Sequence, residues 1–140
     1  MARLDQVINI RPALEKHFGF SQIVDSGSYV FFSGSAAMDE NGALKGGASM
    51  AEQVRTVYTE LCELLARVGA APEHVVKETV YTVDMDALVA AADVRAAFFS
   101  QCAPPASSWI EVRRLYRPEF LIEVELIVEK PAASCAGSPR

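Results

Sequence analysis

One segment, from Ser49 to Gly69, constrains the fold more than any other part of the chain. Ser49 stands three residues before Glu52, which fits a capping box: the hydroxyl and the carboxylate bind free backbone amides of the first helical turn. Gly69 is a suitable cap for the other end. Between the two ends, apolar residues recur at helical spacing: Val54, Val57, Tyr58, Leu61, Leu64, Leu65 and Val68. The spacing predicts an amphipathic helix whose apolar face lies against a sheet.

Segments typical of β-strands lie on both sides of this helix. The predicted strands are 20–24, 29–33, 75–83, about 107–115 and about 121–129. The first two join through the turn-forming sequence Asp25–Ser28. A second helix, capped by Asp84 or Asp86, is predicted to extend to about Phe99. The order β-β-α-β-α-β-β indicates an α+β domain with one mixed β-sheet and two helices on one face. The other face is then polar or buried in an oligomer.

The size and charge of the chain exclude several classes of protein. It has 140 residues, 51% of them hydrophobic, which suits one domain with a sizeable core. A net charge of −5 argues against a dedicated nucleic-acid or anionic-membrane surface. The chain has no apolar run of the roughly 20 residues that span a bilayer, and we expect no secretory signal. We therefore expect a cytoplasmic protein, folded over residues 1–130, with a disordered tail at 131–140 rich in Ala, Ser, Gly and Pro.

The cysteines and histidines give no sign of a metal site. The three cysteines form no CxxC pair, and the two histidines lack metal-ligand spacing. Cys62 falls close to the apolar face of the first helix, which predicts a buried thiol. No metal is predicted.

The last two predicted strands carry polar groups in a regular pattern. By alternation, Ser107, Trp109 and Glu111 share one face of their strand, and Glu123 and Glu125 share a face of theirs. Glu123 could activate water or shuttle a proton if burial raises its pKa. The alternative is a row of ordinary solvated carboxylates. Trp109 is either a core residue or the wall of a cleft.

Several strings resemble the Rid (YjgF-type) family of enamine/imine deaminases. The sequence VVKETVYTVDM at 75–85 is similar to the signature of that family. Phe31–Gly34 matches its hydrophobic-Ser-Gly strand, and Ile122–Glu125 matches its last strand. Gln53 and the Leu-rich helix after it also match. The resemblance covers about residues 18–128.

This resemblance implies a chorismate-mutase-like α+β fold and a homotrimer with ligand clefts between subunits. Family members hydrolyse small enamines or imines to ketones and ammonia without a cofactor. An arginine clamps the substrate carboxylate, and a glutamate of the last strand is linked to a water. Other members have been described as ribonucleases or translation inhibitors, but nothing basic in this sequence supports that activity.

The chain departs from the family pattern at the residues that bind the substrate. Ser107 occupies the position of the arginine and supplies neither its charge nor its two-pronged geometry. Trp109 stands in place of a frequent cysteine, Phe20 in place of a tyrosine and Ser35 in place of a glutamine. Glu123 is retained. Arg113, Arg114 and Arg117 are candidates for a replacement cation, or plain surface charges; the link around Arg117 also has one extra residue.

Two functions follow as hypotheses. The first is a divergent Rid-like enzyme acting on an imine, enamine or related, partly apolar small molecule in an intersubunit cleft, with Glu123 as acid and base. The alternative is a non-catalytic trimer that binds a small ligand or docks a partner. Neither involves nucleic acid or membrane. The expected substrate-binding residues are Phe20, Ser33, Gly34, Ser35, Ser107, Ser108 and Trp109.

Overall fold

A six-stranded mixed sheet organises the chain, in a computed structural model that describes residues 6–132. The strands are β1 (Val7–Ile8), β2 (Ile23–Asp25), β3 (Tyr29–Ser35), β4 (Val75–Thr82), β5 (Ala106–Glu111) and β6 (Ile122–Glu129). The helices are α1 (Pro12–Phe18), α2 (Met50–Arg67), α3 (Met85–Ala90) and α4 (Ala92–Phe98), and a 3-10 turn covers Pro72–His74. The strand order is β1-β2-β3-β6-β4-β5. The predicted α+β class and mixed sheet are confirmed.

The pairing of the strands decides which side chains share a face. β4 and β5 run parallel, joined by the crossover through α3 and α4, while the other pairs are antiparallel. Along β6, Ile122, Val124, Leu126 and Val128 are buried under the helices. Glu123 and its alternate neighbours therefore point to the opposite, open face of the sheet.

Helix α2 begins where the capping box predicts. The amide of Glu52 donates to Oγ of Ser49 at 3.2 Å, and the amide of Ser49 donates back to Oε2 of Glu52 at 3.0 Å. Gly69 has a φ of +75°, the left-handed conformation that ends many helices. The apolar stripe packs into the core, where each fully buried Val or Leu contributes about 2 kcal/mol. Cys62, in contrast, lies exposed on this helix, so the prediction of a buried thiol was wrong.

The second predicted helix is divided into two. Asp84 provides the N-cap, its Oδ1 accepting from the amide of Ala87 at 3.0 Å. The amide of Ala91 is shared between the carbonyls of Ala87 and Leu88, a tightening of the 3-10 type that separates α3 from α4. Residues 133–140, which include Cys135 and most of the predicted tail at 131–140, lie outside the described residues.

The N-terminal segment adds elements that the sequence analysis left out. Glu15 is 2% exposed, and its carboxylate accepts hydrogen bonds from the amides of Ile10, Arg11 and Gln22 at 2.8, 2.6 and 2.6 Å. A buried carboxylate with three backbone donors is well satisfied. It fastens α1 to the start of β2, and this positions the aromatic side chains that follow α1.

Candidate functional site

A cavity of about 350 Å³ opens at the end of β3 and β6. Four of the predicted site residues line it: Phe20, Ser33, Gly34 and Glu123. The sequence analysis missed the other lining residues, which are Arg11, Leu14, Phe18, Gln22, Ala36, Met38, Tyr116 and Phe120. Most of this second group is apolar, so the cavity is a largely hydrophobic space with a carboxyl group at one wall.

A β-bulge in β3 creates the close approach at the carboxyl wall. Phe32 pairs with Leu126 and Ser35 pairs with Val124, so β3 has one residue more than β6 over this stretch. The bulge brings the backbone of Gly34 against the carboxylate of Glu123. A Cβ at Gly34 would overlap that carboxylate. A residue with a side chain would fit only if the Glu123 side chain or the bulge moved, so the glycine permits this close approach.

Glu123 has the environment of a tunable acid. Burial in the cavity wall raises the pKa of its carboxyl group, and the nearby charge of Glu125 raises it further. The hydroxyl of Tyr81 does not hydrogen-bond Glu123, because it donates to Oε1 of Glu125 at 2.9 Å instead. Within residues 6–132, no donor hydrogen-bonds the Glu123 carboxylate. The group is thus free to exchange a proton with a molecule in the cavity.

Gln22 fixes the backbone that surrounds Glu123. Its side chain is 2% exposed, and Nε2 donates to the carbonyl of Ser33 at 3.0 Å and to Oγ of Ser35 at 3.3 Å. The Ser33 hydroxyl in turn donates to the carbonyl of Ser21 at 2.7 Å, which leaves its oxygen as an acceptor toward the cavity. Ser35 is buried behind this layer and does not line the cavity.

Arg11 brings a guanidinium to the cavity, but its Nε and Nη2 donors are already occupied. Nε donates to the carbonyl of Asp39 at 2.9 Å, and Nη2 donates to the carbonyl of Met38 at 2.7 Å. Nη2 also pairs with the carboxylate of Glu60 at 2.6 Å. These contacts hold the loop after β3 to α2. They leave the charge of Arg11 compensated within the protein.

The remaining predicted residues lie elsewhere in the chain. Ser107 and Trp109 share one face of β5, as the alternation predicted. That face is the helix-covered one, whereas Glu123 points to the open face. Ser108 points to the open face and accepts a hydrogen bond from Nζ of Lys77 at 2.7 Å. A single copy of the chain therefore does not bring these three residues into the cavity.

Ser107 belongs to a buried charged network that the sequence analysis missed. Its hydroxyl donates to Oε1 of Glu78, a carboxylate with no exposed surface. Arg95 pairs with the same oxygen, and the hydroxyl of Tyr58 donates to Oε2 at 2.8 Å. Burial, together with the Glu78 charge, holds the pKa of Tyr58 far above its usual range. The indole N–H of Trp109 donates to Oγ of Ser107 at 3.0 Å.

The guanidinium next to Ser107 is Arg95, not one of the three arginines that the sequence suggested. It lies 5.1 Å from the ring centroid of Phe99 and 5.7 Å from that of Trp109. Of the three suggested arginines, Arg113 and Arg114 are exposed, and Arg117 stacks on Tyr116. The helical spacing of α4 gave no signal for Arg95, because its partner Glu78 lies in a different element, 17 residues earlier.

Neither a metal centre nor a membrane span is found in the described part of the chain. No group of three or more His, Cys, Asp or Glu in residues 6–132 is arranged to hold a metal ion. Over the same residues, no helix combines the length and apolar character needed to cross a membrane.

Known proteins share both the sequence pattern and the fold. The chain is 28% identical to a RutC family protein of Synechocystis over 80% of this chain and 86% of that protein. It is 32% identical to a RutC family protein of Pyrococcus abyssi, over 79% and 86%.

Solved structures agree with these sequence matches. The YjgF gene product of E. coli superimposes with a TM-score of 0.72 at 27% identity, over 80% of this chain and 88% of that one. The E. coli protein TdcF with bound serine gives 0.72 at 26% identity over the same shares. The sequence model of the family described as Endoribonuclease L-PSP matches residues 11–130. With nearly all of its described residues inside that match, the chain belongs to the Rid/YjgF family.

Proposed function

We propose that this protein is an enzyme that hydrolyses an imine or enamine of a small, partly apolar molecule, with Glu123 as the acid and base. The observation that carries the proposal is the Glu123 carboxyl group: it lies half-buried in the wall of an apolar cavity, has no hydrogen-bond partner among residues 6–132, and has a raised pKa. A carboxyl group that stays protonated closer to neutral pH can donate a proton to a weakly basic nitrogen and recover it later.

The proposed reaction needs one acid–base group and one water. The Glu123 carboxyl protonates the imine nitrogen, or the β-carbon of an enamine, and becomes a carboxylate. The carboxylate then takes a proton from water while the water oxygen bonds to the imine carbon. Glu123 next protonates the nitrogen of the carbinolamine, and the C–N bond breaks as ammonia leaves. The hydroxyl proton of the carbinolamine returns to the Glu123 carboxylate as the carbonyl group forms. The balance is imine plus water to carbonyl compound plus ammonia, and Glu123 ends as it began.

In this proposal, the residues that bind the substrate differ from those of the family. Ser107 occupies the position of the arginine that binds the substrate carboxylate in the family, and its hydroxyl donates a hydrogen bond to Glu78. The charge of Arg11 is compensated by Glu60. An imino acid held by its carboxylate would meet no free cation among these groups. The apolar lining instead favours a substrate with an uncharged body, positioned by Phe20, by the acceptor oxygen of Ser33 and by the backbone at Gly34.

We also propose that a neighbouring copy completes the cleft in a homotrimer. Membership in the family supports oligomeric assembly, and the serine bound to E. coli TdcF supports a small-molecule ligand. The open face of the sheet exposes Phe31 and Ile110, which an assembly would cover. In that arrangement the edge strand β5 of one copy, which carries Ser107, Ser108 and Trp109, would lie beside the Glu123 of another copy.

A non-catalytic binding protein is the second candidate. One observation favours it: Ser107, Arg95 and Trp109 satisfy one another and Glu78 within the chain, which suits a permanent structural network better than a substrate clamp. In this alternative the cavity binds a small molecule without converting it.

Ammonia release decides between the two candidates. Carboxylate-free imines, formed in situ from primary amines by an amine oxidase, are compared with 2-aminoacrylate as substrates. We expect the native protein to accelerate ammonia release from the former, Glu123→Gln to abolish the acceleration, and the exposed control Glu129→Gln to keep it. Binding of the carbonyl product without any acceleration would favour the second candidate. Full activity in Glu123→Gln would exclude Glu123 as the acid and base.

A further inference from the structure

Two exposed aromatic side chains stand together at the mouth of the Glu123 cavity. Phe18, at the end of α1, is 53% exposed, and Tyr116, in the link between β5 and β6, is 47% exposed. Their ring centroids are 5.4 Å apart, with the planes at 75°. Both residues line the cavity. Large aromatic groups left in water at the rim of an apolar cavity are typical of a surface that a ligand covers.

The backbone of the link between β5 and β6 is fixed at the cavity mouth. Phe120, which closes the link, is 1% exposed. The buried amide of Gln53 holds the backbone next to it: Nε2 donates to the carbonyl of Glu119 at 2.8 Å, and Oε1 accepts from the amide of Leu121 at 2.9 Å. Tyr116 is braced by the guanidinium of Arg117, 5.5 Å from its ring. A pre-organised aromatic rim loses little conformational entropy when a flat group packs against it.

The charges at the cavity disfavour an anionic ligand. The guanidinium of Arg11 is compensated by Glu60 and by backbone carbonyls, so it offers little attraction to a carboxylate. Arg117, which stacks on Tyr116, pairs with Glu119 at 3.8 Å. Among the acidic and basic side chains that line the cavity, Glu123 is the one without a hydrogen-bond partner in residues 6–132, and it repels anions when ionised and donates a proton when neutral. Aromatic faces also attract cations, so a protonated imine is favoured beside these rings.

We propose that Phe18 and Tyr116 are specificity-determining residues that select a planar aromatic or conjugated group on a neutral or cationic ligand. The planar group packs against the two rings while its polar end points to Glu123. This inference rests on the proposed function only for the identity of the reacting C–N group. The selection of ligands by shape and charge applies equally to a protein that binds without catalysis.

Binding of three probes tests the selection without any turnover. Benzamide, cyclohexanecarboxamide and benzoate are measured by calorimetry against the native protein, Tyr116→Leu, Phe18→Leu and the control Val89→Ala, which removes an exposed apolar side chain far from the cavity lining. We expect benzamide to bind more tightly than the other two. Tyr116→Leu and Phe18→Leu should each weaken benzamide by about threefold to tenfold, with little effect on cyclohexanecarboxamide. Tyr116→Phe should retain the preference.

The outcomes separate this inference from the proposed function. Equal losses for the aromatic and saturated amides, or benzoate binding as tightly as benzamide, would overturn the selection. A change of oligomeric state in Tyr116→Leu, measured by light scattering, would also overturn it, because the pair would then belong to an interface between copies. Selective benzamide binding without ammonia release from any imine would support the aromatic rim and contradict the enzymatic proposal. Turnover of aromatic and aliphatic imines alike, unchanged in Tyr116→Leu, would support the enzymatic proposal and contradict the selection by the aromatic rim.

Discussion

The hydroxyl of Ser107 donates a hydrogen bond of 2.7 Å to Oε1 of Glu78, a carboxylate buried between the sheet and the helices. At this position the family resemblance leads one to expect an arginine that faces a ligand. The serine instead completes a network inside the chain, in which the indole of Trp109 donates to the same hydroxyl oxygen. At the position where the resemblance leads one to expect an arginine, this chain therefore has a serine bound to a buried acid, and Arg95 supplies the compensating charge.

Ser107→Ala tests the contribution of this hydrogen bond. The substitution removes one of the donors to Glu78 and the acceptor of the Trp109 indole N–H, but Arg95 and Tyr58 remain. Because Ser107 itself is exposed, we expect a loss of about 1 kcal/mol in the free energy of unfolding, measured by urea denaturation. Trp109 is the single tryptophan of the chain, so its fluorescence should shift as the indole loses its partner. An unchanged emission spectrum would contradict the hydrogen bond.

Arg95→Leu tests the ion pair that balances Glu78. Glu78 has no exposed surface, so removing its cation leaves a buried carboxylate without a compensating charge. We expect a destabilisation of about 3 to 5 kcal/mol by chemical denaturation. The exposed control Arg67→Leu on α2 should change stability by less than about 0.5 kcal/mol. The double variant Arg95→Leu with Glu78→Leu should recover part of the loss; a further loss instead would contradict the explanation by charge.

The raised pKa of Glu123 predicts a pH dependence of stability. In the folded protein this carboxyl group binds its proton more tightly than in the unfolded chain, chiefly because burial disfavours the charged form. Its contribution to stability is present below the unfolded pKa and is lost as pH rises through the folded pKa. Glu123→Gln mimics the protonated group, so we expect it to be more stable than the native protein at neutral pH and equally stable in acid.

Two measurements check this sign. Urea denaturation of both proteins at several pH values gives the difference in stability, and carbon NMR of the Glu123 carboxyl group gives its pKa directly. The control Glu129→Gln, exposed on the same strand, should show no such pH-dependent difference. A Glu123 pKa at or below its ordinary value would contradict both the stability prediction and the role of this residue as an acid.

Much of the fold follows from local sequence patterns. The capping box at Ser49 and the alternation along β6 each depend on neighbouring residues, and the structure forms both as predicted. The division between α3 and α4 was missed because Ala90, Ala91 and Ala92 all favour a continuous helix. The segment around Glu15 was missed because its carboxylate binds amides on both sides of α1, a pattern without a period.

The candidate site was less accessible to sequence reasoning. Glu123 and Gly34 were identified through the family strings, but their contact depends on a one-residue bulge in β3, which alternation does not reveal. Arg95 and Glu78 meet across two elements, and neither stands in a recognisable motif. The aromatic rim is formed by Phe18 at the end of α1 and Tyr116 in the β5–β6 link. These segments are distant in sequence, and only the folded chain brings them together.

The contact between Gly34 and Glu123 gives a prediction that can be tested by a double-mutant cycle. In Gly34→Ala the new Cβ would overlap the carboxylate, so the side chain of Glu123 or the bulge must move. We expect a loss of about 1 to 3 kcal/mol in the free energy of unfolding and a weaker affinity for any ligand of the cavity. The backbone at Gly34 is not left-handed, so alanine adds no backbone strain. In a Glu123→Ala background the overlapping group is absent, and Gly34→Ala should then cost little. A cost that is the same in both backgrounds would show that the glycine is required by the bulge itself and not by the carboxylate.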